Sequence, residues 1–491
     1  MRSNVIITLG LSTGIFLSTL SGCTTNPTDG ESVFTGLSSD RRELSLGRQH
    51  HPQFVKAFGG EFGSPKLRKY VNSIGQLLAQ TVERKKFKYT FTVLNSEIVN
   101  AFALPGGYIY ISRGLLALAG NEAEIAGVLA HELGHINALH HSRRDGQGLL
   151  ANILMAGVGI ASGQHSTKRS QALDLARYIT SGALSAYSRE HELEADRLAL
   201  RYMTRAGYDP KAMVSFLKKM RSWSRLLAKR LGQAPDKVDD FNYLATHPAP
   251  AERVRLAREL SSKYRVRNPI LEKKGYLQQI DGILFGSDPD QGLILGQVFA
   301  HPKLKFRFEV PKNFRLFNTR NAIFAKGPNG ATIKFDSARK PSDGPITYYL
   351  QDVWWRNRQL RNVETLNING LDAATGTIQI RGADIRAIVI RKNLQTIYRF
   401  IFKTKTDDTG GLARPFRRTT YSFRLLTGRE VSNLKPLRIK VVRTKRGDTV
   451  STLARVMAGR DGFSEERFKV INDLYGNTQV RPGQRVKIIT H

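Results

Sequence analysis

The sequence predicts a multidomain chain: a mainly α-helical first domain with a small edge-strand sheet, then an α+β domain, then a small βααβ unit. Three observations lead there. At 491 residues the chain exceeds what one hydrophobic core organises, so roughly two to four folded units are expected. Apolar residues recur at helical spacing from about residue 121 to 210. From Phe299 the pattern turns to short strands broken by Gly, Asn and Pro, and near the carboxyl end it changes again to strand, helix, helix, strand.

At the amino terminus, Arg2 precedes an apolar run, Val5 to Leu20, of about 16 residues, shorter than the roughly 20 of a bilayer span. "LSGC", Leu20 to Cys23, follows. This predicts an export signal over 1–22 and a linker over 23–41. Cys23 is the sole cysteine, and a lone thiol in an exported chain makes no internal disulfide. Its setting resembles a bacterial lipobox, which implies lipidation at Cys23. Thr24, where Asp would retain the chain at the inner membrane, implies an outer-membrane anchor facing the periplasm. The 76 Lys+Arg against 41 Asp+Glu, a formal charge of +35, favour anionic lipid headgroups or acidic wall polymers, and export removes nucleic acid from the expected partners.

"VLAHELGHINALHH", Val128 to His141, carries the chemistry. Asn121 with Glu124 three residues on predicts a helix cap with its reciprocal glutamate, and Ile125, Val128, Leu129, Leu133 and Ile136 follow at helical spacing. Four residues turn a helix by about 400°, so His131 and His135 project from nearly one face, one turn apart, as zinc ligation requires. Glu132 beside them is the candidate general base. Two histidines leave the site one ligand short. His141 stands where the metzincins place a third histidine, but their pattern turns on a Gly and this chain has Ala138. An unbroken helix carries His141 about 9 Å beyond His135 and about 240° around. His140 and His141 therefore read as polar residues at a helix end, where positive charge suits the dipole.

"AYSREHELEADRLALRYMTRAGYDP", Ala186 to Pro210, completes the site differently. Its apolar spacing and Gly207 mark a second helix, and Asp209 with Pro210 opens a third. Glu192 and Asp196, four apart, share a face. A carboxylate from an adjacent antiparallel helix completes a His, His, Glu set, while an Asp one turn along can bond the outer nitrogen of a ligand histidine. Glu192 is the predicted third ligand and Asp196 its support, with one Zn2+ per chain. "GLLANILMAGVGIAS", Gly148 to Ser162, has an apolar run of about 13 residues, too short to span a bilayer, and reads as a buried helix. "GQHSTKRSQ" after it reads as a polar loop near the cleft.

Together with "VLNSEIVNAFALPGGYIYISRGLL" and "THPAPAERV", these segments resemble the M48 zinc metallopeptidases, especially the periplasmic members with a lipoprotein signal, from about Arg42 to Leu260. The resemblance implies a zincin-like domain over 42–265, zinc on His131, His135 and Glu192, catalysis by Glu132 and support from Asp196. It also implies that "GYIYIS" is an edge strand beside the cleft. Gly107, Tyr108, Ile109, Tyr110 and Ile111 would then bind an unfolded or extended polypeptide through main-chain hydrogen bonds.

Three protein ligands leave a fourth place for water, whose proton Glu132 takes and later delivers to the leaving amine. His247 and Arg253 are candidate donors to the oxyanion. His247 precedes a proline and lies on a loop, where it makes that donation, occupies the open metal position, or is a plain loop histidine. The predicted function is a lipid-anchored zinc endopeptidase acting on misfolded or unassembled envelope proteins. The alternatives are an envelope assembly scaffold with a capped or vestigial zinc site, and a murein peptide hydrolase.

Residues 266–298 read as a connecting segment. The strands "LKFRFEVP", "NAIFAKGPNGATIKF", "LDAATGTIQI", "IRAIVIRK" and "QTIYRFIFK", with a helix-like "ITYYLQDVWW", define an α+β domain over 299–430. It is faintly similar to the PsbP or Mog1-like fold and shows no catalytic constellation. "VVRTKRGDTVSTLARVM" and "ERFKVINDLYGNTQVRPGQRVKII" resemble a LysM module over 437–490. That implies a groove for N-acetylglucosamine polymers beside Gly447, Asp448 and Thr449 and near Leu474, hence a peptidoglycan contact acting with the lipid tether.

Overall fold

The computed structural model describes residues 23–34, 39–143, 187–230, 247, 251–319, 322–339, 344–459, 461–476 and 479–491. The expected export signal, the apolar stretch at 148–162, the loop after it and the side chain of Cys23 lie outside the described residues. Among the described residues no helix is long and apolar enough to cross a membrane.

A short hairpin, β1 (Cys23–Thr25) and β2 (Ser32–Phe34), precedes α1 (Asp40–Ala57) and α2 (Pro65–Ala79), so part of the expected linker is paired strand. Next come β3 (Thr90–Leu94), β4 (Ala101–Leu104) and β5 (Tyr108–Ser112), in the spatial order β3-β5-β4. This overturns the edge-strand expectation for Gly107, Tyr108, Ile109, Tyr110 and Ile111. β5 is central, parallel to β3 on one side and antiparallel to β4 on the other. Gly106 and Gly107, at φ +83° and +89°, make the tight turn that folds β5 back along β4 and occupies its second side. The strand with an unshared side next to the site helix is β4.

The helices that build the site follow: α3 (Arg113–Leu118), α4 (Glu122–Asn137), α5 (His140–Arg143), α6 (Arg189–Arg205), α7 (Lys211–Arg230) and α8 (Ala251–Lys263). Asn121 caps α4, its Oδ1 accepting the Glu124 N–H at 2.9 Å. The reciprocal half of the expected cap is absent. Glu124 is buried, and its carboxylate instead takes the Gly120 N–H and the Lys219 ammonium, both at 2.7 Å. α4 is buried on nearly all sides because α2, β4, α6 and α7 pack around it. α6 packs against α4 at Gly134, where a Cβ would stand 3.1 Å from the Ala195 carbonyl oxygen. That contact lies between the histidine pair of α4 and the acidic pair of α6. α6 ends as expected, with Gly207 left-handed at φ +85°.

After α9 (Lys273–Ile280) and β6 (Leu284–Phe285) the chain enters a Phe-rich unit. β7 (Leu293–Leu295), β8 (Val298–His301), β9 (Phe306–Glu309) and a later β17 (Arg424–Leu425) form one sheet. β10 (Arg315–Asn318), β11 (Ala322–Lys326), β12 (Thr332–Ala338), β13 (Arg361–Ile368), β14 (Leu371–Ile380), β15 (Ala383–Asn393) and β16 (Thr396–Lys405) form another, in the order β10-β11-β12-β16-β15-β14-β13. The helix-like segment appears as Ile346–Tyr348 running into a π turn, Tyr349–Trp354, and α10 (Thr409–Ser422) packs on β9 and β16.

The last unit is β18 (Leu437–Arg443), α11 (Val450–Arg455), α12 (Ser464–Ile471) and β19 (Arg485–Thr490). β18 pairs antiparallel with β19 and with β6, so the unit is stitched to the preceding segment by main-chain bonds. Ile439, Phe468, Ile471 and Ile489 belong to the same apolar core as α2, α4 and α7. Gly447 and Thr449 are exposed and Asp448 is half-buried, but Leu474 is only 3% exposed within that shared core. Leu474 thus packs into the core shared between units rather than facing solvent.

Candidate metal centre

His131 and His135 project from one face of α4, and their Nε2 atoms stand 3.0 Å apart. Glu192 enters from α6, its two oxygens each 3.4 Å from one of these nitrogens. A tetrahedral ion with bonds of about 2.0–2.1 Å places its ligand atoms about 3.3 Å apart, close to the 3.0 and 3.4 Å found here. His247 supplies a fourth group, with Nδ1 3.2 Å from His131 Nε2 and 2.8 Å from Glu192 Oε1. The four residues are buried, and one donor atom from each falls within 4.8 Å of all the others. This nitrogen and oxygen set suits a divalent ion. His141 stands outside it, beside the Tyr187 hydroxyl.

Charges around the cluster are paired closely. Asp196 Oδ1 lies 2.9 Å from His131 Nδ1, one helical turn from Glu192. Arg253 donates from Nε and Nη2 to the two Asp196 oxygens at 2.7 and 2.6 Å, and its Nη1 lies 2.6 Å from Glu192 Oε2. The guanidinium thus bridges the two carboxylates of α6, contacts that the expectation of an oxyanion donor did not include. Burial would lift Glu192, but His247 and Arg253 hold its carboxyl well below the usual range. Burial alone would depress the His131 imidazole, yet Asp196 and Glu192 outweigh it and raise the group to about 9. For Glu132, burial dominates and moves the carboxyl up, opposed by His247 and His131. Its Oε2 has no hydrogen-bond partner among the described residues.

His140 and His141 do not continue α4 as the reading of a helix end supposed. α4 stops at Asn137, Leu139 takes a left-handed φ of +58°, and both histidines turn inward and are buried. His140 Nδ1 lies 2.8 Å from His135 Nδ1, and Tyr187 stacks on the His135 ring with centroids 3.8 Å apart. Sequence reasoning missed His140, Tyr187 and Glu194 as neighbours of the cluster. The one available signal was the density of histidine and acidic residues, since the break at Leu139 has no glycine to announce it.

Residues 65–261 match peptidase family M48. Beta-barrel assembly-enhancing protease of Escherichia coli (strain K12) is 29% identical over 237 residues, 45% of each chain. The protein of the same name from Yersinia pestis is 30% identical over 259 residues, 51% of this chain and 50% of that one. Mitochondrial metalloendopeptidase OMA1 of Arabidopsis thaliana is 31% identical over 179 residues, 36% and 33% of the two chains. The chain thus spans about half the length of the first two relatives. Among solved structures, cyanobacterial PsbP (CyanoP) from Synechocystis sp. PCC 6803 is 17% identical with a TM-score of 0.23, covering 28% of this chain and 98% of that one. The family implies a metal, and the cluster of His131, His135, Glu192 and His247 could hold it. Residues 65–261 are thus similar to peptidase family M48, a match that covers less than half of the chain.

Proposed function

We propose that the chain is a zinc-dependent endopeptidase of the bacterial cell envelope, lipid-anchored at Cys23 in the outer membrane, that hydrolyses misfolded or unassembled envelope proteins. The observation that carries this reading is the convergence of His131, His135 and Glu192 at ligand spacing, with Glu132 beside them. The name shared by two relatives, beta-barrel assembly-enhancing protease, supports an envelope substrate.

His131, His135 and Glu192 would hold the zinc. When bound, the ion supplies Lewis acidity at the scissile carbonyl and acidifies the attacking water. Glu132 takes that proton and passes it to the leaving amine, a role suited to a buried carboxylate with raised pKa and an unpartnered oxygen. Asp196 fixes the His131 ring, and Arg253 keeps both acidic residues of α6 aimed inward. An extended polypeptide would add to the unshared side of β4, which lies against α4. His247 stands against His131 and Glu192, where it would cap the site at rest and leave it for turnover.

The test is cleavage of casein by the purified protein. Chelation should abolish it, and Glu132→Gln should lower it by about 10²–10⁴-fold while bound metal is retained. Cleavage surviving both would reject the chemistry. The seating of His247 also favours a second reading, an assembly scaffold whose site stays capped, and that reading predicts that His247→Ala remains inactive. The murein hydrolase alternative predicts release of peptides from purified sacculi instead of casein cleavage.

A further inference from the structure

The two histidines of α4 are held from behind in different ways. His131 has a carboxylate, Asp196, at its outer nitrogen, whereas His135 has another imidazole. For His135 Nε2 to face the cluster with a lone pair, its Nδ1 must carry the hydrogen. His140 Nδ1, 2.8 Å away, must then accept it, which places the His140 hydrogen on Nε2. That nitrogen lies 3.1 Å from Glu194 Oε2, so one proton arrangement satisfies the whole row: His135 donates to His140, and His140 donates to Glu194. Stacking holds the ring planes, Tyr187 on His135 and His191 on His140, with centroids 3.8 and 4.2 Å apart.

Glu194 is fixed in turn. Arg143 Nη1 donates to its Oε2 at 3.0 Å, and Asn26 Nδ2 donates to its Oε1 at 3.3 Å. Asn26 is fully buried in the turn between β1 and β2. Its Nδ2 also donates to Asp29 at 2.7 Å, and its Oδ1 accepts the N–H and the hydroxyl of Thr28. A buried amide with both ends satisfied resists displacement, because losing any partner leaves a desolvated polar atom.

We infer that Asn26, Glu194 and His140 form a positioning relay that sets the tautomer and orientation of the metal ligand His135, so that the hairpin beginning at Cys23 takes part in metal retention. The inference rests on the proposed zinc site. It makes the amino-terminal hairpin part of the metallopeptidase rather than a spacer between anchor and enzyme.

The test is zinc affinity of the full chain, by competition with a chromophoric chelator, together with the visible absorption bands of the Co2+-loaded protein. His140→Phe should weaken zinc binding about 10–100-fold and shift the Co2+ bands. His140→Asn, which can still accept at one end and donate at the other, should restore part of both. Glu194→Gln and Asn26→Ala should each weaken binding severalfold, and they carry the test if His140→Phe fails to fold. Glu192→Gln controls for the underlying site, and its binding zinc as tightly as the parent would reject the site itself. If Glu192→Gln weakens binding while His140→Phe, Glu194→Gln and Asn26→Ala stay within twofold of the parent with unmoved Co2+ bands, the relay is overturned and the zinc site stands.

Discussion

Replacing Lys487 by Met tests how firmly the carboxyl-terminal unit is built into the peptidase. Lys487 is 1% exposed, and its ammonium donates to the carbonyl oxygens of Ala117, Leu118 and Ala119 at 2.8, 2.9 and 2.6 Å. These carbonyls end α3 and otherwise lack helical partners. Three hydrogen bonds from a charged donor contribute about 1.5–3 kcal/mol each. Against this stands the several-kcal/mol cost of burying an ammonium, which also pulls Lys487 well below the usual lysine range, with Lys219 adding to the effect and Asp473 opposing it. Removing the donor leaves buried carbonyls unpaired, at about 1–3 kcal/mol for each one left so. Met keeps the stem and the packing but abandons three carbonyls. Hydrogen exchange read by mass spectrometry should show the amides of β19 and α3 opening roughly 100-fold more readily in Lys487→Met. Exchange within threefold of the parent would refute the reasoning.

His247→Ala should raise casein cleavage about tenfold, since the side chain seated at the fourth position no longer competes with substrate; a chromogenic peptide assay measures it. Arg253→Lys keeps the charge but not the fork on Asp196 or the reach to Glu192, so zinc affinity should fall about tenfold in chelator competition. His301 gives a pH dependence. Burial lowers its pKa from 6.5 to about 4, and its Nδ1 accepts the Leu304 N–H, which requires the neutral ring. The unfolded chain therefore binds the proton more readily, and the stabilisation present above pH 6.5 is lost as pH falls through 6.5 toward 4. Urea denaturation at pH 7 and pH 4.5 should show a smaller pH difference for His301→Gln than for the parent.

The histidine pair and its general base were legible because they are local. Helical geometry alone brings residues four apart onto one face, and the Asn121 cap marks where that helix begins. The pairing of Glu192 with Asp196 followed from the same rule. Strand order did not follow. Every residue of β4 and all but the first of β5 are buried, so neither shows the alternation that separates an edge from a centre. The turn at Gly106 and Gly107 brings β4 and β5 together, but only the packing of β3 on the far side makes β5 central.

His140 and His141 were misplaced by extending a helix that breaks at a non-glycine residue, a conformation that costs energy locally and is held by burial. Leu474 was ambiguous for another reason, since an apolar side chain fits a sugar groove or a shared core equally well until the neighbouring unit is present. From the chain's order of residues one could read the motifs, the helix faces, the three changes of pattern and the chemistry they suit. Only folding decided that Glu194 meets His140, that Arg253 bridges Glu192 and Asp196, and that His247 sits among the candidate ligands. Dihedral preferences act over a few residues, whereas buried charges require partners that only distant segments, brought together by the common core, can supply.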